Sequence, residues 1–461
     1  MPKKKTALTI EERLQQALVP AEEQPYEVPE NWVWVRLGSL AQDMADGPFG
    51  SNLKTEHYTN NKEVRIIQLS NIGENGWRED NKKYTTFEHA KVIARSKVEA
   101  GDIVIAKMMP AGRAIICPSY EQQYVLSSDA VKFVPNSLVD NNFCCKGINS
   151  HFFQTLVQEN TQGITRARTS IKKLKGYPFP LPPLSEQQRI VERIEELFAK
   201  LDEAKERLQE VADSFAVRKA AILHKAFTGE LTKQWRRENG VSDESWEEKK
   251  LGEVGFWLGG GTPSTSREEY WENGNILWIT SKDMKSAVIE DTLMKVNEIG
   301  VKNSSANYIE KPALLVVMRS GILRRTFPVA MVKKPFTVNQ DLKAIIPDKD
   351  DLEFLYWMLL SNEQRILDTC MKNGTTVESI NSNALKDLTF KCPTLPEQHE
   401  IVRLIDDLLA RERSAQQAAE QALASIDLMK KSILARAFRG ELGTNKASEA
   451  SALELLKQVL S

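Results

Sequence analysis

The residues able to perform covalent chemistry are scattered along this sequence and form no recognisable catalytic set. The glycine-rich stretch GGGTPST, residues 259–265, lacks the Lys-Ser/Thr pair that completes a phosphate-binding loop. GxSxG and GxGxxG loops are missing as well. The five histidines match neither HExxH nor a comparable metal motif; they are His57, His89, His151, His224 and His399. We therefore predict that this chain alone performs no covalent chemistry and needs no cofactor or metal of its own.

Basic side chains cluster with short polar ones in both halves of the chain. QGITRARTSIKKLKGY, residues 162–177, carries five cations and no acidic residue, and MRSGILRR, residues 318–325, carries three cations. Because the net charge is −1, only such local patches could attract phosphates. Neighbouring Ser, Thr, Asn and Gln side chains could bond base edges.

The predicted DNA contacts combine these two residue types in both halves. Taken singly, each residue is better explained as an ordinary turn residue or surface charge, so the prediction depends on both halves presenting such loops. The predicted residues are Ser51, Asn52, Lys54, Lys107, Arg113, Ser128, Arg166, Arg168, Lys172, Lys173, Thr262, Ser264, Lys282, Arg319, Arg324, Asn339, Gln340, Asn373 and Thr375.

The elements that would position these loops occur twice. Shifting the chain by 211 residues aligns LSEQQRIVERIEELFAK with LPEQHEIVRLIDDLLAR and continues without a gap to AFTGEL and AFRGEL. Of the 48 aligned positions, 18 are identical. The chain is therefore two copies of one unit, each a variable block followed by a constant segment.

The constant segments have the periodicity of long helices. Apolar residues recur at steps of four and three, as in the seam of a coiled coil, with Glu412 as an interruption. Acidic residues lie early and basic residues late in both segments, which favours antiparallel pairing. The seam positions are Ile190, Ile194, Leu197, Leu201, Ala204, Leu208, Val211 and Phe215, then Ile401, Ile405, Leu408, Ala415, Ala419, Ala422, Ile426, Met429 and Ile433.

The variable blocks have the pattern of globular α+β domains. Short β-rich runs such as VRIIQLSNI and NILWITSKDM alternate with clusters of Gly, Pro, Asn and Ser. A chain of 461 residues also exceeds what one hydrophobic core normally organises. We predict two such domains joined to two long antiparallel helices in a pseudo-twofold repeat.

These features resemble one known family. GPFGSNLK at residues 47–54, GGTPSTSREEYWENGNILWITSKDM at 260–284, the two LxEQ starts and the paired AFxGEL ends are similar to the specificity subunits of type I restriction-modification enzymes. The resemblance implies two target recognition domains that read the halves of a split, asymmetric DNA site, with the helices acting as a ruler. It also implies two methyltransferase subunits and two motor-nuclease subunits as partners, which would carry S-adenosylmethionine, ATP and magnesium.

The resemblance places the repeated helix ends in regions that contact partner subunits. Helix capping and packing within the chain explain the same residues equally well, and both interpretations stay open. The residues are Glu186, Gln187, Phe227, Gly229, Glu230 and Leu231, with Glu397, Gln398, Phe438, Gly440, Glu441 and Leu442.

The expected division of the chain follows from the repeat. It comprises an N-terminal arm (1–29), recognition domain 1 (30–183), spacer helix 1 (184–231), a linker (232–245), recognition domain 2 (246–394), spacer helix 2 (395–442) and a C-terminal tail (443–461).

Two further observations concern the compartment. The sequence has no run of 18 apolar residues, and its N-terminus lacks the apolar segment of a signal peptide. Its five cysteines form no CxxC pair and are interpreted as packing residues. We therefore expect a cytoplasmic protein.

Two other classes of function remain alternatives to DNA recognition. A coiled-coil scaffold with protein-binding heads would explain the helices and the neutral charge, but not the basic, Asn- and Gln-rich loops. A self-contained nuclease or methyltransferase would act on DNA without partners.

Overall fold

The computed structural model describes residues 8–74, 76–108, 110–161, 168–372 and 377–461. Its α-helices are α1 (Ile10–Ala17), α2 (Phe87–Val92), α3 (Asn141–Ile148), α4 (His151–Glu159), α5 (Ile171–Gly176), α6 (Leu184–Asp213), α7 (Phe215–Phe227), α8 (Lys233–Glu238), α9 (Glu298–Lys302), α10 (Leu352–Ser361), α11 (Glu363–Cys370), α12 (Ser382–Lys386), α13 (Leu395–Ala437) and α14 (Ala452–Leu460). In these ranges no helix is long and apolar enough to cross a membrane.

The strands are short and fall into two series. The first is β1 (Val33–Arg36), β2 (Ala41–Asp46), β3 (Tyr58–Thr59), β4 (Val64–Ile67), β5 (Ile72–Gly73), β6 (Gly76–Trp77), β7 (Lys83–Thr85), β8 (Lys97–Val98), β9 (Ile103–Ala106), β10 (Ala114–Ile116), β11 (Tyr124–Leu126), β12 (Ala130–Pro135) and β13 (Pro178–Leu181). The second is β14 (Glu247–Lys250), β15 (Gly255–Gly259), β16 (Ile276–Ile279), β17 (Met294–Val296), β18 (Ala313–Val317), β19 (Val329–Val332), β20 (Phe336–Val338), β21 (Leu342–Pro347) and β22 (Thr389–Cys392).

The chain divides into two compact units. Unit 1 comprises Met1–Leu208 with Gln421–Ser461, and unit 2 comprises Gln209–Glu420. Each unit therefore contains one globular α+β domain, the beginning of the long helix that follows it in sequence and the end of the other long helix. The division at residues 29, 183, 245, 394 and 442 stays a prediction.

The two units repeat one sheet topology. Unit 1 has a four-stranded antiparallel sheet in the order β10-β9-β12-β2, and unit 2 has β19-β18-β21-β15. A second sheet contains one parallel pair in each unit, β4 with β11 and β16 with β20. A two-stranded ladder, β1 with β13 or β14 with β22, precedes the long helix. The α+β fold and the internal repeat predicted from the sequence are confirmed.

Within each unit the two long helices run antiparallel. In unit 1, Lys430 of α13 donates to Asp202 of α6 (Nζ–Oδ1, 2.5 Å). Three residues earlier on α13, the Asp427 carboxylate lies 3.8 Å from Nζ of Lys205, which is three residues later on α6. The two helices therefore run in opposite directions. In unit 2, Arg218 of α7 donates to Glu412 of α13. Glu412, the interruption of the apolar seam, therefore has an interhelical cation as its partner.

The first spacer helix is interrupted where the sequence predicts continuity. α6 ends at Asp213, and α7 begins at Phe215. The Val211 carbonyl would accept from the Phe215 N–H in a regular α-helix, but here it accepts from Ser214 Oγ (3.1 Å) and Arg218 Nη2 (3.1 Å). Side chains thus compete with the backbone for one carbonyl, whereas α13 continues through all 43 residues.

Each hydrophobic core extends onto the helix ends. In unit 1, Ile190, Ala437 and Phe438 share a buried cluster with residues of the sheet. In unit 2, Ala226 and Ile401 do the same. The helix ends are thus built into the globular domains, which fixes their direction of entry.

The predicted linker, residues 232–245, is also partly structured. It contains α8, and Arg236 within it is 5% exposed. The sequence predicts only a linker here, and the pairing of Arg236 with Glu397 at the start of α13 orders it. The corresponding tail of unit 1 forms α14, where the Leu460 carbonyl accepts from Arg13 of α1 (2.9 Å).

Candidate nucleic-acid interface

A tightly held loop follows strand β2 in unit 1. The N–H of Gly47 donates to the Ala130 carbonyl (2.9 Å), and a Cβ on this residue would lie 1.8 Å from the Ser127 carbonyl oxygen. At the other end, Asn52 N–H donates to the Phe49 carbonyl (2.7 Å). The predicted contacts Ser51 and Asn52 therefore occupy a loop whose root tolerates only glycine.

This loop borders a cleft of about 860 Å³. Four of the predicted DNA-contact residues line it, namely Asn52, Lys107, Ser128 and Arg168. They come from four separate parts of the chain, and the fold of unit 1 brings them together as the sequence-based hypothesis requires.

Three cations line the cleft: Arg95 is exposed, whereas Lys107 and Arg168 are paired with carboxylates. Lys107 is buried and donates to Asp46 (Nζ–Oδ1, 2.8 Å). Arg168 donates to Asp129 (Nη2–Oδ1, 2.6 Å) and to the Ser128 carbonyl (2.9 Å). Because its charge is buried and compensated, Lys107 offers no open phosphate contact, and its predicted contact with DNA stays a prediction.

The sequence search, which followed cations, missed the two carboxylates. Asp46 is the last residue of β2 and stands directly before the loop glycine, which is the signal that could have identified it. The oxygens of Asp46 and Asp129 can accept from exocyclic amino groups of adenine or cytosine. With Lys107 and Arg168 as donors, the cleft presents both kinds of hydrogen-bonding group that base edges require.

The other predicted contacts of unit 1 that the structure describes lie outside the lining of this cleft. Lys54 is 3.8 Å from Glu56, and Arg113 is 3.9 Å from Glu74. Lys172 is exposed on α5, where Lys173 donates to the Asn160 carbonyl (2.6 Å). Arg166 lies outside the described residues.

Unit 2 joins two of its predicted contacts directly. Thr262 Oγ1 donates to Gln340 Oε1 (2.8 Å). Ser264 lies 2.8 Å from the Ser266 hydroxyl, and Lys282 is exposed. Thr262 and Ser264 stay accessible in the loop that follows β15, and Lys282 lies after β16.

Other predictions for unit 2 fare differently. Arg319 is exposed, and Arg324 is paired with Glu378. Asn339 is 7% exposed, and its amide bonds the backbone and side chain of Asp341, so the side chain is engaged in its own turn and its contact with a base stays a prediction. The hypothesis treated any loop Asn as available, although this one serves its own turn. Asn373 and Thr375 lie outside the described residues.

The two units place different side chains on equivalent backbone. Lys107 N–H donates to the Asp129 carbonyl, and Met318 N–H donates to the Asp341 carbonyl, both at 2.8 Å. Met318 therefore stands where unit 1 has Lys107. Unit 2 thus lacks the cation that pairs with Asp46 in unit 1.

Unit 2 also lacks an equivalent of the ion pair between Arg168 and Asp129. The bridge between Met108 and Arg168 corresponds to the one between Arg319 and Ser379, which places Ser379 where unit 1 has Arg168. Gly259, which ends β15 as Asp46 ends β2, provides no carboxylate. A shared scaffold thus presents two chemically different surfaces.

The starts of the two long helices carry the same buried pair of residues. Gln187 accepts from Asp140 N–H (2.9 Å) and donates to the Pro182 carbonyl (2.9 Å). Gln398 accepts from Asp351 N–H (2.8 Å) and donates to the Pro393 carbonyl (3.0 Å). Both glutamines hold the capped start of a domain helix against a long helix.

The buried glutamates hold the segment that follows the other long helix. In unit 1, Glu186 accepts from Trp32 Nε1 (2.8 Å), Asn445 Nδ2 (2.9 Å) and Thr444 Oγ1 (3.3 Å). In unit 2, Glu397 Oε1 accepts from Thr232 Oγ1 (2.6 Å) and Arg236 Nη1 (2.7 Å). Glu397 thus has a cation as partner, and Glu186 has neutral donors.

The repeated AFxGEL ends are mainly internal structure as well. Phe438 is 1% exposed, and its ring centroid lies 5.0 Å from that of Phe143. The half-buried Phe227 packs on Phe354, with ring centroids 5.5 Å apart. Gly229 and Gly440 have φ of 80° and 75°, the left-handed conformation that ends a helix.

Burial bears on the two interpretations of these residues. Glu186, Gln187, Glu397, Gln398 and Phe438 are buried, which favours packing within the chain for their side chains, and their contact with a partner stays a prediction. Glu230 and Glu441 are exposed, and Leu231 and Leu442 are partly exposed, so the partner-contact prediction remains for these four.

Comparison with known proteins agrees with this architecture. The family described as Type I restriction modification DNA specificity domain matches residues 29–213 and 243–422. The chain belongs to this family, and it carries two copies of the family's domain.

Individual relatives are type I specificity subunits. The chain is 32% identical over 288 residues to the EcoR124I/EcoR124II specificity subunit of Escherichia coli, covering 60% of this chain and 66% of that subunit, just under two thirds. It is 24% identical over 442 residues to the EcoKI specificity subunit of Escherichia coli strain K12, covering 90% of both chains. The crystal structure of the HsdS subunit from Thermoanaerobacter tengcongensis shares the fold, with a TM-score of 0.65, 19% identity and coverage of 91% of this chain and 100% of that one.

Proposed function

We propose that this protein is the DNA specificity subunit of a type I restriction-modification complex. Its two domains read the two halves of a split, asymmetric DNA site, and the chain itself is non-catalytic. The observation that carries the proposal is the repeated scaffold with unlike cleft residues. A protein that recognises two different half-sites needs the same domain scaffold twice, with a different set of hydrogen-bond donors and acceptors in each copy.

The cleft residues supply the chemistry of base readout. Carboxylates accept from the amino groups of adenine and cytosine, and cations donate to guanine. In unit 2, the Thr262 hydroxyl and the Gln340 amide can each donate or accept a hydrogen bond. The exposed cations around these sites, including Lys172 and Arg319, supply phosphate contacts that fix the register without carrying sequence information.

The partners are those expected for the family. Two methyltransferase subunits dock on repeated surfaces of this chain and bring S-adenosylmethionine, and two motor-nuclease subunits bring ATP and magnesium. The duplication supports a pair of like partners, because each requires the same surface. The long helices fix the separation of the half-sites, and the complex acts in the cytoplasm.

A domain exchange tests the proposal. Residues 30–183 are replaced by the corresponding domain of another specificity subunit, and the purified complex with methylating partners is offered a randomised DNA library. One half-site should change, and the other half-site should stay the same. A change in both half-sites, or in neither, would contradict separate reading by two domains.

Salt dependence separates this function from the alternative scaffold with protein-binding heads. Specific DNA binding should weaken linearly in log–log form as salt rises, because phosphate contacts release counterions. A scaffold would show no such binding. A self-contained enzyme would instead modify or cut DNA without partners, given S-adenosylmethionine, ATP and magnesium.

A further inference from the structure

The rim of the unit 1 cleft carries an apolar feature that the hydrogen-bonding groups do not explain. Phe49 is 83% exposed, and Val92, at the end of α2, is 77% exposed. Both line the same cleft as the two ion pairs. Exposure of a phenyl ring to water is unfavourable, and two exposed apolar side chains on the rim of one cleft form a small apolar patch of the kind that binding grooves carry.

The loop presents this ring on a fixed support. Phe49 lies between Gly47, which is pressed against the Ser127 carbonyl, and Asn52, whose N–H returns to the Phe49 carbonyl. The Asn52 carbonyl is in turn 2.8 Å from Nε2 of His89 in α2. Because the backbone is held on both sides of Phe49, the loop loses little conformational entropy when the ring meets a ligand.

The surroundings of the ring fit a nucleobase. The inner part of the cleft offers the carboxylates of Asp46 and Asp129 beside the cations of Lys107 and Arg168. A base has the same division, with donors and acceptors on its edge and apolar character on its face or on a thymine methyl group.

We propose that Phe49 is a specificity-determining residue of unit 1, which contacts a nucleobase through its ring while the ion-paired residues behind it meet the polar edge. This inference rests on the proposed function. The ring meets either the C5 methyl group of a thymine or the face of an unstacked base, as apolar wedges do in other DNA-binding proteins.

Unit 2 lacks this device at the equivalent loop. There Gly260 takes the place of Gly47, since a Cβ on it would lie 1.7 Å from the Val338 carbonyl oxygen. Two residues further on, where unit 1 has Phe49, stands Thr262, which is bonded to Gln340. The ring therefore contributes to one half-site alone.

The test uses the complete complex with its methylating partners and compares Phe49→Ala and Phe49→Leu with Tyr120→Ala. Tyr120 is a matched control, being 68% exposed in unit 1 but outside the cleft. Binding is measured on duplexes with every base varied in turn. The half-site of unit 1 is the one that changes on exchange of residues 30–183.

Phe49→Ala should reduce discrimination at one or two positions of that half-site by roughly 10-fold. Phe49→Leu should retain part of the discrimination, and Tyr120→Ala all of it. The salt slope and the other half-site should not change, because the ring touches no phosphate. Replacing thymine by deoxyuridine at the affected position should mimic the loss if the methyl group is the target; an abasic site should mimic it if the base face is.

Unchanged base preferences in Phe49→Ala would overturn the inference. So would unchanged preferences combined with weaker assembly with the methylating subunits, which would show that the ring meets protein. If the unaltered complex itself shows no sequence preference, the proposed function fails, and that result is distinct from a failure of this inference alone.

Discussion

The buried ion pair at the start of α13 allows a quantitative prediction. The side chains of Glu397 and Arg236 are 0% and 6% exposed. Arg236 also donates to the Gly229 carbonyl (2.8 Å), so it joins the end of α7 to the start of α13 within unit 2. We expect Arg236→Met to destabilise unit 2 strongly.

The magnitude follows from what the substitution leaves behind. Without Arg236, Glu397 Oε1 keeps only the Thr232 hydroxyl, and Glu397 Oε2 is already buried with no partner in the described structure. Removing one member of a buried pair typically costs about 3–5 kcal/mol, because the other charge stays desolvated. The nearby Asp243, 3.0 Å from Arg236 Nε, is mostly exposed and regains water at little cost.

Unit 1 provides the matched control. Glu186 occupies the equivalent position but accepts from neutral donors, so Glu186→Gln keeps one carbonyl acceptor and leaves no cation unpaired. It should cost about 1 kcal/mol or less. Glu397→Gln should cost more, because the buried guanidinium of Arg236 then loses its charged partner.

Hydrogen exchange measured by mass spectrometry is the appropriate assay, since a two-unit chain need not unfold in one step. Arg236→Met should reduce protection in α8, α10 and the first turns of α13, and leave unit 1 protected. Equal effects of Glu186→Gln and Glu397→Gln, or an Arg236→Met protein as protected as the unaltered chain, would refute the reasoning.

Three further outcomes are expected. Gly440→Ala should lower the thermal midpoint more than Gly229→Ala. Both residues have left-handed backbone, but a Cβ on Gly440 would lie 2.4 Å from Pro29, whereas a Cβ on Gly229 would lie no closer than 3.3 Å to a side chain. Equal decreases in the midpoint would contradict this. Lys172→Ala should weaken binding to all DNA sequences alike and reduce the salt slope by about one, and an unchanged slope would remove it from the phosphate contacts. Lys249→Met should destabilise unit 2 at neutral pH: burial alone would raise the pKa of Asp350, yet hydrogen bonds from Lys249, Gln398 and Cys392 hold that pKa below its ordinary value. A depressed carboxyl pKa stabilises the fold above the unfolded pKa of about 3.9, so the difference between variant and unaltered protein in urea titrations should shrink on acidification below that value; a difference independent of pH would contradict it.

The features predicted well from sequence are those that periodicity and repetition encode. The apolar seam from Ile190 onward and its copy from Ile401 define two helices with a required partner, and both residues are buried. The interruption at Glu412 was visible in the pattern. Its partner Arg218 was not, since an interhelical pair depends on a register that only the folded helices fix.

The features predicted poorly depend on tertiary burial. Lys107 and Asn339 have the right types for DNA contact, but the sequence does not reveal that Lys107 pairs with Asp46 or that Asn339 bonds Asp341. The carboxylates Asp46 and Asp129 escaped notice because a search for phosphate contacts disregards acids. Arg236 looked like a linker charge, and only the proximity of Glu397 reveals it as the bond that orders its segment.

The most direct test of the account is to sequence DNA modified in cells by the complex, with a method that detects methylated bases. Two specific half-sites separated by a spacer of unspecified sequence and constant length should emerge, with a methylated adenine in each. A single continuous word, a spacer of variable length, or the absence of any common motif would contradict reading by two unlike domains on one duplicated chain.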